Sequence, residues 1–249
     1  MDQTTVQVIS VIILLATLVL VAAIPSRRRF ALRRIRAYER MPDLTGLAIE
    51  SNRPLHVSFG SAGIGGGSTV LALASADVAY YLTQRAAIGD ASPIISVSDT
   101  SALPLGQDAL RRAYQDREYT KQYRANNVRW YPSGSRSLAF AAAVTGLMAT
   151  ENVSSNVFVG RYGAELALML DASSRRKLPT IAVSDQLEGQ AIAYALTDDP
   201  LIGEEIFAAP AYLDERNPQM AETVAVDVLR WSVIVVIFIG LLLQLAEGS

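Results

Sequence analysis

Hydrophobic residues form two long unbroken stretches near the ends of the chain and many short runs between them. The first stretch, VQVISVIILLATLVLVAAI at residues 6–24, contains no charged residue. The second ends at residue 246 and reaches back to residue 228 if Arg230 extends to the membrane surface, with Trp231 at an interfacial position. A helix needs roughly 20 residues to cross a bilayer core of about 30 Å, so we expect transmembrane helices at 6–24 and 228–246.

The middle of the chain alternates short runs rich in β-branched residues with longer segments rich in alanine and leucine. This alternation is typical of a parallel sheet whose strands are connected by helices. It predicts an α/β domain over residues 41–213, joined to the second span by a polar linker at 214–227. The predicted strands are 55–59, 93–98, 128–132, 156–160 and 179–184, and the predicted helices are 68–85, 106–121, 136–150, 162–174, 188–197 and about 201–213.

Two parts of this domain repeat one pattern. The sequence Pro-x-Ile-x-Val-Ser-Asp occurs at 93–99 and at 179–185, and each copy follows a strand that ends in Gly-x-x-Gly, at 60–63 and at 160–163. A doubly wound, Rossmann-like sheet of five parallel strands in the order 3-2-1-4-5 would bring both glycine turns to one crevice, so the repeat favours this order. The flavodoxin-like order 2-1-3-4-5 is the alternative, and it would set the first turn beside residues 134–136.

Arginine residues predict the orientation of the two spans. Residues 27–40, directly after the first span, contain seven arginines and one glutamate, and Arg230 lies on the same side of the second span. Since positive residues concentrate on the cytoplasmic side, we expect a cell-membrane protein with both termini outside and the central domain in the cytoplasm. Residues 25–40 are predicted to form an arginine-rich juxtamembrane helix, which contacts anionic lipid headgroups through Arg27, Arg28, Arg29, Arg33, Arg34 and Arg36.

Charge and residue types exclude several kinds of chemistry. The whole chain carries −2 and residues 27–40 carry +6, so the rest carries −8, which disfavours nucleic acid as a partner. With no cysteine and a single histidine, His56, the chain lacks the usual ligands of zinc, haem and iron–sulfur centres and the usual parts of a catalytic triad. We expect no bound metal, although Mg²⁺ held by carboxylates alone stays open. His56 lies in a predicted strand and is expected to be a core or edge residue.

The first glycine turn, GSAGIGGGST at residues 60–69, leads from a predicted strand into a predicted helix. A P-loop would have lysine where Gly67 stands, so a nucleoside triphosphatase is not expected. A dinucleotide-binding turn fits in part, because Gly63 and Gly65 match but Ser68 replaces the third glycine. Glycines before a helix N-terminus still favour an anionic or nucleotide-like ligand. The alternative is a tight turn in which a hydroxyl side chain caps the helix.

Aspartates end the second and the fifth predicted strand, where a Rossmann-like fold binds ribose. Asp99 and Asp185 are therefore candidate ligand contacts, although Asp99 comes later than the usual spacing and both would serve equally well as turn or cap residues. Catalysis by a carboxylate pair is not expected, since their strands do not adjoin in the favoured order. The candidate ligand-binding residues of the crevice are Gly60, Ser61, Gly63, Gly65, Gly66, Ser68, Thr69, Asp99, Gly160, Arg161, Gly163 and Asp185.

Residues 114–131 interleave five aromatic residues with arginine and lysine. Tyrosine, tryptophan and arginine are enriched at the energetic centres of protein interfaces. In a domain that is acidic elsewhere, we rank a protein interface first, an exposed amphipathic helix second and single-stranded nucleic acid a distant third. The candidate interface residues are Tyr119, Tyr123, Arg124, Trp130 and Tyr131.

The chain has one span, an arginine-rich stretch, a glycine-rich α/β domain and a second span. This layout and the segment VSFGSAGIGGGST resemble an uncharacterised family of bacterial membrane proteins known as a domain of unknown function. The resemblance brings no catalytic residues and implies no activity. We expect a membrane-anchored, non-catalytic binding or assembly protein, whose partners are membrane lipids and either further copies of itself or other subunits of a membrane complex. The alternative is a membrane-bound enzyme with an NAD(P)-type nucleotide cofactor in the same crevice.

Overall fold

The computed structural model describes residues 33–213. The predicted spans at 6–24 and 228–246, the linker at 214–227 and the beginning of the arginine-rich segment lie outside the described residues. Between residues 33 and 213, no helix is long and apolar enough to cross a membrane. The described residues correspond to the central domain that the alternating pattern predicts.

Six parallel strands form one sheet: β1 Leu55–Gly60, β2 Ile94–Val97, β3 Val128–Trp130, β4 Ser155–Arg161, β5 Thr180–Ser184 and β6 Asp199–Pro200. Their order is β3-β2-β1-β4-β5-β6. The predicted order 3-2-1-4-5 is therefore confirmed, and the flavodoxin-like alternative is wrong. The prediction of five strands is also wrong, because β6 pairs with β5. Two residues, one of them proline, have no recognisable strand pattern in a sequence.

Seven helices cover the sheet within the described range: α1 Arg36–Ser51, α2 Thr69–Ala86, α3 Leu103–Asp116, α4 Leu138–Thr150, α5 Leu166–Arg175, α6 Leu187–Leu196 and α7 Ala209–Leu213. The helix predicted at 106–121 begins three residues earlier and ends at Asp116, after which short 3₁₀ turns lead to β3. The boundary expected after residue 40 falls inside α1, whose buried face includes Met41 and Leu44. This apolar face is hard to recognise in the sequence, because arginines and Pro42 interrupt its pattern.

The core has two parts, one on each side of the sheet. Val157 and Val159 of β4 belong to the part that packs against α1, α2, α3 and α7, whereas Phe158 belongs to the part that packs against α4, α5 and α6. Successive strand residues point to opposite faces, and because helices cover both faces every one of these positions is apolar. The central strands therefore hold their carboxyl ends, and the turns that follow them, at fixed positions.

A polar network crosses the centre of the sheet. His56 of β1 is fully buried, and its two ring nitrogens lie 2.9 Å from Asn156 Oδ1 on β4 and 2.9 Å from Ser96 Oγ on β2. Asn156 Nδ2 in turn donates to Ser173 Oγ on α5, at 3.0 Å. Burial lowers the pKa of His56 to about 4, against a smaller opposing effect of the Asn156 hydrogen bond. The prediction of a core histidine is confirmed.

Candidate functional site

The two glycine turns lie side by side at the carboxyl edge of the sheet, because β1 and β4 are hydrogen-bonded neighbours. The turns also contact each other directly. Ser61 donates to the carbonyl oxygen of Arg161 through its backbone N–H at 3.0 Å and through Oγ at 3.1 Å. Gly60 has a φ of +57°, and a Cβ there would lie 2.4 Å from the same oxygen. Glycine is thus required at residue 60 both by the backbone conformation and by the close approach of the second turn.

Three backbone N–H groups of the first turn already donate to side chains of the domain. Gly63 N donates to Ser68 Oγ at 3.2 Å, and Gly65 N donates to Thr69 Oγ1 at 3.0 Å. Ile64 N donates to Ser101 Oγ at 2.8 Å. A bound phosphate would accept hydrogen bonds from backbone N–H groups of this kind. Since these three N–H groups already donate to hydroxyls of the domain, they are not available to a ligand.

Asp99 supports the first turn from the end of β2. Its Oδ1 accepts from Ser101 N at 2.8 Å and from Ser101 Oγ at 2.7 Å, so that it caps the short 3₁₀ turn Thr100–Ala102. A Cβ at Gly63 would lie 2.4 Å from the Asp99 carboxylate, which shows how closely the loop packs on this side chain. The sequence left two interpretations of Asp99, a ligand contact and a turn or cap residue. Its geometry is that of a cap residue.

The part of the first turn that stays open is its last third. The N–H groups of Gly66, Gly67 and Ser68 have no hydrogen-bond partner among the described residues, and neither Gly66 nor Gly67 has a neighbour close to where a Cβ would be. They lie at the start of α2, an 18-residue helix whose N-terminus carries a positive partial charge. This segment is where an anion would approach the turn.

The second turn is held by an ion pair instead of hydroxyl groups. Arg161 Nε lies 2.9 Å from Asp185 Oδ2 and 3.2 Å from Asp185 Oδ1, so both predicted site residues contact each other. Ser184 Oγ accepts from Tyr162 N at 3.0 Å and from Gln186 N at 3.1 Å, and donates to Tyr162 O at 2.7 Å. Ser184 thus ties the end of β5 to the turn that follows β4.

Tyr162 fills the space beneath the two turns. The side chain is fully buried and its hydroxyl donates to the carbonyl oxygen of Ser58 on β1 at 2.6 Å. Burial raises the pKa of this phenol, which therefore stays protonated. Its ring would contact a Cβ at Gly60 at 2.6 Å. The ring of Tyr162 therefore packs directly against Gly60 of the first turn.

Gly160 and Gly163 have different roles in the second turn. A Cβ at Gly160 would lie 2.0 Å from the carbonyl oxygen of Phe59, so glycine is required for the close approach of β4 to β1. Gly163 N donates to Glu165 Oε1 at 3.0 Å, and Glu165 is buried. Within residues 33–213, no group of three or more histidine, cysteine, aspartate or glutamate side chains is placed to hold a metal ion.

Exposed apolar side chains stand beside the first turn. Ile64 within the turn and Val70 and Leu73 on α2 are each about half exposed or more, with Val70 at 66%. Val70 and Leu73 are three residues apart, so they lie on the same face of the helix. A small polar ligand gains nothing from such a surface, whereas a protein partner would bury it.

The described arginines of the juxtamembrane segment pair with acids of the domain. Arg33 forms an ion pair with Glu205, Arg34 Nε lies 2.6 Å from Glu39 Oε1, and Arg36 Nη2 lies 3.6 Å from Asp199 Oδ1. The arginine side chains remain mostly exposed, so these pairs contribute little stability and leave the guanidinium groups accessible to other anions. The other predicted lipid contacts, Arg27, Arg28 and Arg29, lie outside the described residues.

The two ends of the described chain meet. Tyr212 on α7 donates its hydroxyl to the carbonyl oxygen of Arg33 at 2.5 Å. Its ring stacks on Tyr38 of α1 with 4.9 Å between ring centroids. The hydroxyl of Tyr38 donates to the carbonyl oxygen of Glu205 at 2.6 Å. Residues 33 and 213 therefore leave the domain from one place on its surface.

The predicted interface residues divide into exposed and packed side chains. Tyr119 and Arg124 are exposed, whereas Tyr123 and Tyr131 are half-buried against the two parts of the core. Trp130 is exposed and donates its indole N–H to the carbonyl oxygen of Ser98 at 2.9 Å. An amphipathic helix, the second interpretation of this segment, accounts only for the part up to Asp116, where α3 ends.

Sequence reasoning missed Ser101, Tyr162, Glu165 and Ser184, which hold the two turns. Ser184 was visible in the sequence, since it is the serine of the repeated Ser-Asp pair. Tyr162 was visible only as the bulky residue where the first turn has Ala62. The other two, Ser101 and Glu165, each follow a strand end by four residues, a spacing that is too common to single them out.

Neighbouring central strands that each end in a glycine turn, with helices on both faces of a parallel sheet, define a doubly wound α/β protein of the Rossmann-like class. The sequence model of the family described as Domain of unknown function (DUF6754) matches residues 1–249, and the chain belongs to this family. Comparison with curated proteins and with solved structures gives no match.

Proposed function

We propose that this chain is a membrane-anchored α/β protein that works by binding and assembly rather than by catalysis. Its two apolar stretches serve as transmembrane anchors, and its central domain presents the glycine turns to the cytoplasm. The domain forms homo-oligomers or joins other subunits of a membrane complex. The arginines at 27–36 rest against anionic lipid headgroups.

The observation that carries this proposal is the state of the first glycine turn. Three of its N–H groups donate to hydroxyls of the domain, while Ile64, Val70 and Leu73 are exposed beside it. A turn that exists to bind phosphate keeps its N–H groups free and its surroundings polar. An apolar surface beside a turn whose N–H groups donate to hydroxyls of the same domain favours contact with a protein.

The meeting of the two ends of the described range, residues 33 and 213, supports the anchoring. Tyr212 and Arg33 are hydrogen-bonded at 2.5 Å, so the segments that continue toward both apolar stretches begin at one place. Two tethers that begin together allow both to enter the same membrane without stretching the domain. A chain with 51% hydrophobic residues also has more apolar residues than one domain of this size needs to bury.

The anchoring can be tested by labelling, because the chain contains no cysteine. We expect a Ser249→Cys variant to react with a membrane-impermeant maleimide in intact cells, and a Gly66→Cys variant to react only after the membrane is opened. Residue 66 suits the second variant because a Cβ there meets no neighbour. Labelling of Gly66→Cys in intact cells, or release of the protein by alkaline carbonate, would contradict the proposal.

The assembly can be tested by native mass spectrometry of the full chain in mild detergent. We expect a species larger than one copy. An Ile64→Asp, Val70→Asp variant tests whether the exposed apolar surface contributes, because a buried carboxylate would weaken the contact. Leu168→Asp is the matched control, since Leu168 is equally exposed but lies on α5. A strictly monomeric protein that captures no partner would contradict the proposal.

A second candidate, binding of an anionic or nucleotide-like ligand, is favoured by the open N–H groups of Gly66, Gly67 and Ser68 at the start of α2. If it is right, the full chain binds NADP⁺ or ATP saturably, and Gly65→Val, at a φ of +97°, abolishes the binding without unfolding the domain. Gly146→Val on α4, where a Cβ also meets no neighbour, is the control. Equal binding by both variants would remove the turn from consideration.

A further inference from the structure

Charge is distributed unevenly between the two edges of the sheet. Residues 111–136, which surround the edge strand β3, contain seven arginines and lysines and two acids. Residues 185–205, which surround the opposite edge strand β6, contain six acids and no arginine or lysine. Counted over these two segments, the β3 edge is basic and the β6 edge is acidic, although Arg33, Arg36 and Arg40 also lie against acids of the β6 edge.

Part of this charge is neutralised inside the domain. On the basic edge, Arg111 and Arg112 pair with Asp108 and Arg129 pairs with Glu151. On the acidic edge, Asp185 pairs with Arg161, Asp199 with Arg36 and Arg40, and Glu205 with Arg33. The exposed charged residues that keep no ion-pair partner in the described part of the chain include Arg117, Glu118, Lys121, Arg124 and Arg136 on the basic edge and Glu188 and Asp198 on the acidic edge.

Most of these unpaired charges match in position as well as in sign. Lys121 and Arg124 precede β3 and lie toward its amino end, and Asp198 precedes β6 in the same way. Arg136 follows β3 and Glu188 follows β5, so both lie toward the carboxyl ends. If two copies were placed edge to edge with their strands running in the same direction, Lys121 and Arg124 of one copy would lie at the same end of the sheet as Asp198 of the other, and Arg136 at the same end as Glu188.

Exposed apolar and aromatic side chains accompany the charges on both edges. Tyr119 and Trp130 are exposed on the basic edge, and Leu187 and Tyr194 are 82% and 70% exposed on the acidic edge. The basic edge also has an open recess of about 380 Å³, lined by Asp90, Ser92, Lys121, Gln122, Arg124 and Asn127. Aromatic and aliphatic anchors surrounded by complementary charge are the usual make-up of a specific protein interface.

We propose that the domain self-associates head to tail, with the β3 edge of one copy docked on the β6 edge of a second copy. The edge strands have only three and two residues, and Pro200 lacks an N–H, so side chains rather than a continued ladder carry the contact. The inference rests on the proposed function in one respect. Copies anchored in one membrane must share one orientation, which a heterologous contact around an axis normal to the membrane preserves.

Cross-linking of the full chain in detergent or vesicles tests the geometry. Because the chain contains no cysteine, only the introduced thiols can react with the cross-linker. Gln122→Cys places a thiol in the basic recess, and Leu196→Cys places one beside Asp198. We expect a short bismaleimide to join the two variants when they are mixed and neither variant to itself. Self-linking of either variant alone would indicate an isologous contact, and no linking in the mixture would exclude the docked edges; either result overturns the proposal.

Charge reversal tests the energetics. We expect Lys121→Glu with Arg124→Glu to weaken self-association of the full chain about tenfold or more, and added Asp198→Lys on the other copy to restore most of it. Arg176→Glu with Lys177→Glu is the control, because these two cations are also exposed but lie at the end of α5. Equal association of the reversed and control variants overturns the proposal. Wild-type association should also weaken as salt rises.

The outcomes separate this inference from the proposed function. If the protein is retained in the membrane and forms oligomers but gives no cross-link between residues 122 and 196, the proposed function stands and the head-to-tail contact is rejected. If the protein gives the cross-link but is released by alkaline carbonate, the head-to-tail contact stands and the membrane anchoring is rejected. The two experiments therefore fail independently.

Discussion

The two glycine turns solve the same structural problem in different ways. Each takes the chain from the end of a central strand into a helix, and each requires glycine where the neighbouring strand approaches, at Gly60 and at Gly160. The first turn is long, open at its end and held by hydroxyls. The second is short and closed, with a buried Tyr162 and an ion pair between Arg161 and Asp185.

The serines at the same position of the two repeat copies differ in their hydrogen bonding. Ser184 makes three hydrogen bonds that close the second turn, whereas the hydroxyl of Ser98, at the same position of the repeat, is buried without a partner in the described structure. The backbone of the first turn follows another course, with a register shift between Ser58 and Gly60. The second turn is therefore a structural support, and the first turn is the part that remains available for contact.

The largest effect is expected from the residue that closes the second turn. Tyr162→Ala removes a buried ring and its hydrogen bond to Ser58, which lowers the free energy of unfolding by about 3–5 kcal/mol. Thermal unfolding of the full chain in detergent measures the loss. Tyr194→Ala is the matched control, because Tyr194 is 70% exposed and its removal costs about 0.5 kcal/mol or less. Equal stability of the two variants would mean that Tyr162 does not support the turns.

The next effect concerns the glycines of the two turns. Gly160→Ala places a Cβ at 2.0 Å from the carbonyl oxygen of Phe59 in the central strand, and the resulting shift costs about 2–3 kcal/mol. Gly66→Ala meets open space in the first turn and changes stability by about 0.5 kcal/mol or less. The same unfolding measurement compares them. A destabilised Gly66→Ala with an unaffected Gly160→Ala would reverse the assignment of support and open loop.

The order of the strands was predictable, because glycine turns and Ser-Asp strand ends occur in the same order in both halves. The sixth strand was not, since two residues carry no periodicity. The site was predictable only in its location. Whether Asp99 binds a ligand or caps a turn depends on the position of Ser101, and whether the turns enclose a crevice depends on where the ring of Tyr162 points. Both are decided by tertiary packing, which one sequence does not report.

A pH dependence is expected from the network beneath the two turns, where His56 of β1 faces Asn156 of β4. The pKa of His56 falls from 6.5 to about 4 on folding, chiefly through burial, with a smaller contribution of the same sign from the charge of Arg129. The unfolded chain therefore binds more protons between these values. The stabilisation is complete above pH 6.5 and is lost as the pH falls toward 4, by about 2 kcal/mol between pH 7 and 5.

Unfolding of the wild type and of His56→Gln at several pH values tests this expectation. Because glutamine does not titrate, the difference in stability between the two proteins should change with pH by the stated amount, whatever the constant cost of the substitution. Parallel pH profiles for the two proteins would show that His56 is protonated as easily in the folded chain as in the unfolded one. The buried network between the two halves would then need another explanation.

The smallest effects separate the bonds that hold each turn. Ser101→Ala removes the acceptor of Ile64 N and the donor to Asp99 in the first turn, and we expect a loss of about 1 kcal/mol that salt does not change. Asp185→Ala breaks the ion pair with Arg161 in the second turn. Since about a third of each side chain is exposed, the loss is about 0.5 kcal/mol and shrinks as salt rises.

Thermal unfolding at low and high ionic strength distinguishes these two losses. The single variant Arg161→Ala and the double variant Arg161→Ala with Asp185→Ala complete a double-mutant cycle that isolates the interaction energy of the pair. A salt-independent loss for Asp185→Ala would mean that Asp185 acts as a turn residue and not through its charge. A salt-dependent loss for Ser101→Ala would mean that the Asp99 carboxylate, without its hydrogen bond from the Ser101 hydroxyl, interacts with the positive start of α2. In that case the first turn would be organised by charge as well, and the contrast between the two turns would lie in Tyr162 alone.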